Sequence, residues 1–287
     1  MTIALPDGSR DPRIEDPTNL WIVHPAGRRL LPWFVAHGVS ANSVSIGGLL
    51  LGAGAASAYA QWHSWGFALV GLALSIGWLI ADGLDGMIAR ATGTASPLGR
   101  ILDGVCDHGV FVLIYVTLAT TLGTANGWVL ACIAGLCHAL QSNFYEGERA
   151  RFHRRAKGQL AQPIVVSRVP LVQIYDRLIL AADRVAHGFD AALARSADPR
   201  RLGTAYADAA ARPMHFMSLL TANVRVGAIF IACLVGDPRF FWWFEILALT
   251  PVLVAGLLWH RQVEAQFVGP AHPASSSLSH TKDVSKS

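Results

Sequence analysis

The sequence predicts an all-α integral membrane protein, with six transmembrane helices and an N-terminal interfacial amphipathic helix. Three observations carry that prediction. The 287 residues are 53% hydrophobic and only 15% charged, whereas soluble domains carry about 25% charged residues. A helix needs about 20 apolar residues to cross hydrocarbon, and segments near 43–61, 66–88, 97–122, 127–146, 214–235 and 240–259 reach that length. Lys and Arg, finally, are concentrated in alternate connections between these segments.

Taken in order, residues 1–19 are polar and Pro-rich, unlike a cleaved signal peptide, and are expected to be flexible. Residues 20–38 combine Trp21, Ile22, Leu30, Leu31, Trp33 and Phe34 with Arg28 and Arg29. That mixture suits a helix lying in the membrane interface, broken or kinked near Pro32. The connections near Gln61–Trp65 and Leu122–Gly127 hold no Lys or Arg, and the one near Gly236–Arg239 holds only Arg239. Residues 1–40 hold Arg10, Arg13, Arg28 and Arg29, and the link between spans two and three holds Arg90 and Arg100. Twelve basic residues lie in 148–212. The positive-inside rule then places both termini, that link and the 148–212 insertion in the cytoplasm.

Within the insertion, apolar residues recur from Leu171 to Leu193 at helical spacing, which predicts a further amphipathic helix. Residues 269–287, rich in Ser, Pro and His, are expected to be a disordered tail. Cys106, Cys132, Cys137 and Cys233 lack metal-ligand spacing and read as reduced apolar side chains. The net charge of +4 is mild and its basic residues border apolar spans. Membrane lipid is therefore the expected partner, and nucleic acid is not.

Four carboxylates interrupt this apolar pattern. Asp82 and Asp85 close span two, while Asp103 and Asp107 open span three. One charge near the bilayer centre costs roughly 2.5–3.5 kcal/mol on insertion scales, so a cluster of anions calls for a neutralising partner. Divalent cations meet that need and point to phosphate chemistry. Spacings of three and four residues put each pair on one helix face. Between them, Ser96 is a suitable N-cap and Pro97 a suitable first helical residue. The short link makes the two helices antiparallel neighbours with their carboxylates facing. Gly86, Ala89 and Gly99 leave room for a flat ligand to approach the backbone, and Arg90 supplies a charge suited to phosphate.

The full constellation is Asp82-x2-Asp85-Gly86-x2-Ala89-Arg90-x8-Gly99-x3-Asp103-x3-Asp107. It resembles the signature of the CDP-alcohol phosphotransferase family at every fixed position. The resemblance covers the six-span layout, making 39–268 the catalytic domain after an N-terminal segment 1–38, but it does not cover the insertion 148–212 or the tail. It implies that Asp82, Asp85, Asp103 and Asp107 ligate two Mg²⁺ or Mn²⁺ ions, and that Asp107 doubles as general base. Gly86, Ala89 and Gly99 would accommodate the cytidine nucleotide, with Arg90 at its phosphates. The implied reaction is attack of an acceptor hydroxyl on the β-phosphorus of a CDP-alcohol, releasing CMP in phospholipid biosynthesis. At least one of the two alcohols would be a lipid, and members of the family are often homodimers. Gly104-Val105-Cys106 and His108 match neither the Asp-Pro-x-x-Asp-Lys of glycerol-phosphate enzymes nor the Asp-Ser-x-x-Asp-Arg of inositol-phosphate enzymes.

Other residues invite weaker readings. Gln141, Asn143, Tyr145 and Glu146 end span four and either line an acceptor pocket or simply enter water. Arg225 lies inside span five, where it faces the cavity and binds a substrate phosphate or a glutamate, or serves a structural pair. His108 stands about 100° around the helix from Asp107, which suits packing as well as acceptor contact. Trp242 and Trp243 fit an interfacial aromatic belt. The alternative for the whole cluster is a cation site in a transporter or channel. Such proteins typically show broken helices or paired repeats near the midplane, and no repeat is visible here.

Overall fold

The computed structural model describes residues 11–160 and 188–268, and every regular element among them is helical. A π-helical turn, Asn19–Val23, leads into α1 (His24–Ala36). Then follow α2 (Ala41–Tyr59), α3 (Trp65–Thr92), α4 (Pro97–Leu122) and α5 (Ala125–Ala156). After the undescribed stretch come α6 (Pro199–Met217), α7 (Ala222–Val235), α8 (Arg239–Phe244) and α9 (Thr250–Ala265). A second π-helical turn, Glu245–Leu249, joins α8 to α9.

Five helical stretches among the described residues are long and apolar enough to cross a membrane: α2, α3, α4, Pro199–Val235 and Arg239–Ala265. The expected span at 127–146 is helical within α5 but falls outside that set. His138, Gln141, Ser142 and Asn143 dilute its hydropathy, and the helix continues into the charged run that ends at Ala156. The span expected at 214–235 is interrupted. A 3₁₀ turn at Ser218–Leu220 divides α6 from α7, and Thr221 restarts the helix from an extended conformation.

Rather than breaking at Pro32, α1 runs continuously to Ala36. Pro32 removes the N–H that would pair with the Arg28 carbonyl. At this exposed position the freed carbonyl can pair with surrounding polar groups. Trp21 (78% exposed), Ile22, Leu30 and Trp33 leave apolar surface uncovered along this segment. The amphipathic helix expected from Leu171 to Leu193 lies largely outside the described residues, although its end, Phe189 and Leu193, is buried. The tail 269–287 lies outside them too.

Small residues set how closely α2, α3 and α4 approach. A Cβ on Gly52 would stand 2.2 Å from Val110 Cγ2, and one on Gly71 would stand 2.5 Å from the Tyr59 ring. Close backbone approach through glycine is a common means of packing membrane helices, where burial against lipid gains little. Around these contacts Trp78, Phe111, Ile114, Tyr115 and Trp242 form the larger core.

A second core, with Phe152, Phe189, Tyr206 and Met214, sits where the end of α5 meets α6 and α9. It encloses a knot of charge. Glu148 accepts from His260 Nδ1 at 2.8 Å, from Arg151 at 2.5 Å, and from Arg261. Arg155 pairs with Asp190 at 2.8 Å and with Glu264. Glu148, His260 and Glu264 offer ligand atoms within 4.8 Å of one another, yet three guanidinium groups already neutralise these carboxylates. The arrangement is a salt-bridge network.

Candidate active site

The link between α3 and α4 folds as its residues dictate. Gly93 ends α3 in the left-handed region at φ +67°, a conformation that costs glycine little. Ser96 Oγ then accepts from Gly99 N at 3.0 Å, and Pro97 opens α4. This tight reversal sets the acidic ends of the two helices side by side.

Asp82, Asp85 and Asp103 each present a carboxylate oxygen, and all three oxygens lie within 4.8 Å of one another. Asp85 is buried and accepts a hydrogen bond from Ser45 Oγ, which fastens α2 to α3 beside the cluster. Asp107, one turn along α4, is not within that distance of all three but makes a side-chain contact with Asp82. It accepts from Trp78 Nε1 at 3.2 Å and lines a cavity of about 200 Å³ together with Asp82. The donor set fits a hard divalent cation. Oxygen is the preferred ligand of Mg²⁺, and oxygens bound to one ion at about 2.1 Å lie at most about 4.2 Å apart, close to the spacing of the cluster.

The other signature residues surround this centre. At Gly86 a Cβ would sit 3.2 Å from Arg90 Nη1, so the missing side chain lets the guanidinium fold back along α3. At Gly99 it would meet Ser96 Oγ at 3.2 Å and Asn42 Oδ1 at 3.5 Å, which keeps the starts of α2 and α4 close. Ala89 is partly buried and Arg90 is exposed.

Tyr145 and Glu146 line the same cavity as Asp82 and Asp107, as do His108, His138 and Asn223. Glu146 accepts from Arg149 Nη1 at 2.9 Å, and Arg149 also faces Glu15 at 3.4 Å. Arg149 is held strongly protonated: burial opposes its charge, but Glu146 and Glu15 outweigh that cost. Gln141 and Asn143 turn elsewhere. Gln141 Nε2 donates to the Glu245 carbonyl at 2.8 Å and Asn143 Nδ2 to the Ala139 carbonyl at 2.6 Å. Arg225, 1% exposed, is not among the residues lining this cavity. Its Nε donates to Glu245 Oε1 at 2.8 Å and its Nη2 to Gln141 Oε1 at 2.8 Å, which makes it half of a buried pair. The glutamate alternative is the arrangement observed.

Several contacts were not foreseen from sequence. Trp78 precedes Asp82 by four residues, so its position on the same helix face was readable. Ser45 belongs to the polar run that opens α2, and His138 is an ionisable residue inside an apolar run. An apolar groove between α4 and α5, lined by Val112, Tyr115, Val116 and Trp128, shares His108, Phe111 and His138 with the polar cavity.

Fold and site thus define a helical membrane protein with a carboxylate cluster between two adjacent helices, open to a polar cavity and an apolar groove. Residues 39–147 match the family model of CDP-alcohol phosphatidyltransferase, and all four aspartates fall inside the matched stretch. Cholinephosphotransferase 1 of Gallus gallus is 34% identical over 122 residues, 39% of this chain and 33% of that protein. Its namesakes in Rattus norvegicus and Homo sapiens are 39% and 37% identical over 70 residues, 24% of this chain and 17% of theirs. The matches therefore cover a third or less of each relative's length. No solved structure matches the chain.

Proposed function

We propose that this protein transfers a substituted phosphoryl group from a CDP-alcohol to an acceptor hydroxyl, releasing CMP, in phospholipid synthesis. The observation that carries the reading is the cluster of Asp82, Asp85 and Asp103 beside a cavity walled by Asp107. Asp82, Asp85, Asp103 and Asp107 hold two Mg²⁺ or Mn²⁺ ions. When bound, these ions neutralise charge on the transferring phosphoryl group and on the leaving CMP, where most of phosphoryl-transfer catalysis lies. Arg90 holds the nucleotide phosphates, and Gly86, Ala89 and Gly99 admit the nucleotide to the backbone. Asp107 takes the acceptor's proton. Tyr145 and Glu146 form part of the wall that the alcohol meets.

The relatives' name suggests a phosphocholine-type group as the transferred unit, and the groove between α4 and α5 offers a seat for a lipid acceptor's chain. On this reading the site faces the cytoplasm, which the distribution of Lys and Arg supports, and the protein is a homodimer. The test is incubation of purified protein with Mg²⁺, a panel of CDP-alcohols that includes CDP-choline, and lipid acceptors such as diacylglycerol. CMP release and product mass are the readouts. Asp107→Asn should abolish CMP release; normal turnover in that variant, or ion transport without metal-dependent CMP release, would refute the proposal.

A further inference from the structure

The cavity has a histidine that the signature does not contain. His138, on α5, is buried, and its Nδ1 lies 3.2 Å from Oε1 of Glu245 in the π-helical turn before α9. Glu245 is itself 0% exposed and anchored by Arg225 Nε at 2.8 Å. A carboxylate only accepts hydrogen bonds, so this contact fixes the imidazole with its proton on Nδ1 and leaves Nε2 as a free acceptor. Nε2 has no hydrogen-bond partner among the described residues, and His138 lines the cavity that holds Asp82 and Asp107.

Ring contacts locate it further. The imidazole packs on Phe111 with centroids 4.3 Å apart, and Phe111 stands four residues after Asp107 on α4. Trp78 touches both neighbours, donating to Asp107 and meeting the Phe111 ring edge-on at 5.3 Å. His138 and Asp107 thus line one cavity, with Phe111 and Trp78 packed between their helices.

We infer that His138, oriented by Glu245, is the residue through which the acceptor's hydroxyl proton leaves the site. The inference rests on the transfer reaction proposed above. In that reaction the acceptor oxygen bonds to the β-phosphorus, and the bond from that phosphorus to the bridging oxygen breaks to release CMP. Once taken from the acceptor, the hydroxyl proton passes to His138 Nε2 and on to solvent. His138 is a catalytic residue in this scheme. Glu245 is a positioning residue, fixing the tautomer that keeps Nε2 open.

The experiment compares wild type, His138→Ala and His138→Gln, each checked for folding by monodispersity and by CDP binding. With CDP-choline and diacylglycerol, both variants should release CMP about a hundredfold more slowly, within the usual range for general acid–base groups. The donor KM should not change. Added imidazole should restore His138→Ala in proportion to its basicity, whereas 4-methylthiazole, similar in shape and far less basic, should not. Glu245→Gln should lower kcat with both KM values unchanged. A folded His138→Gln enzyme at the wild-type rate, or equal rescue by both heterocycles, would overturn the inference. If His138→Ala does not fold, the glutamine variant alone decides. Absence of CMP release from wild type with every donor would instead overturn the parent reading.

Discussion

The indole Nε1 of Trp78 donates to Oδ1 of Asp107 at 3.2 Å, tying α3 to α4 at the wall of the cavity. A hydrogen bond to a charged acceptor is worth about 1.5–3 kcal/mol. Trp78→Phe keeps most of the packing and deletes the donor, so its kcat for CMP release should fall about 10- to 100-fold. Steady-state kinetics with a donor titration would check this, and the donor KM should move little.

Removing metal should act on stability as well as on rate. A ligand that binds only the folded state stabilises by about 2.7 kcal/mol at a concentration of 100 Kd. Mg²⁺ should therefore raise the unfolding temperature in detergent, and EDTA should reverse the rise. In Asp82→Asn, Asp85→Asn and Asp103→Asn the Mg²⁺-dependent shift should disappear, whatever each substitution does to the baseline.

Packing of α2 on α4 can be tested at one glycine. Because a Cβ on Gly52 would stand 2.2 Å from Val110, Gly52→Ala should destabilise by about 1–3 kcal/mol, as overpacking does. Val110→Ala in the same chain should recover much of that loss. Thermal unfolding of the single and double variants is the measurement.

Arg225 and Glu245 make a different prediction. Truncating one partner of a buried pair leaves the other charge uncompensated and costs about 3–5 kcal/mol. Arg225→Ala should lower the folded yield and the unfolding temperature, while the donor KM of the remaining folded fraction stays near wild type. A raised donor KM in well-folded protein would return Arg225 to the substrate site.

Acid should weaken the charge knot beyond the apolar part of α5. Burial pushes the Glu148 carboxyl upward, but the hydrogen bond from His260 and the charges of Arg151 and Arg261 outweigh it. The group is held well below the usual glutamate range. A carboxyl depressed by folding contributes stability above its unfolded pKa and loses it as pH falls towards the folded one. Stability should thus decline below about pH 4.3, the unfolded glutamate value. Glu148→Gln should be less stable at neutral pH and show a shallower acid dependence in pH-resolved unfolding.

The local chemistry of the site was legible because it is written in neighbouring residues. Ser96, Pro97 and the spacing of the aspartates predict a tight antiparallel pair with facing carboxylates, and that pair is present. What sequence hides is contact between distant segments. Glu245 sits in an apolar run and its partners are 107 and 20 residues away. No periodicity announces such a meeting. The break at Ser218–Leu220 was equally hidden, because two leucines keep hydropathy high through a turn that lies between α6 and α7. Pro32, conversely, reads as a helix breaker but is accommodated where its surroundings are exposed.

The tight reversal between Gly93 and Ser96 has a consequence for biogenesis. All four aspartates lie within residues 82–107, on one hairpin closed by the short loop between Thr92 and Pro97. Closure entropy grows with loop length, so this pairing is the least costly helix–helix contact the nascent chain can form around its acids. The carboxylates are thus brought together before α5 is delivered, and the remaining helices assemble around them.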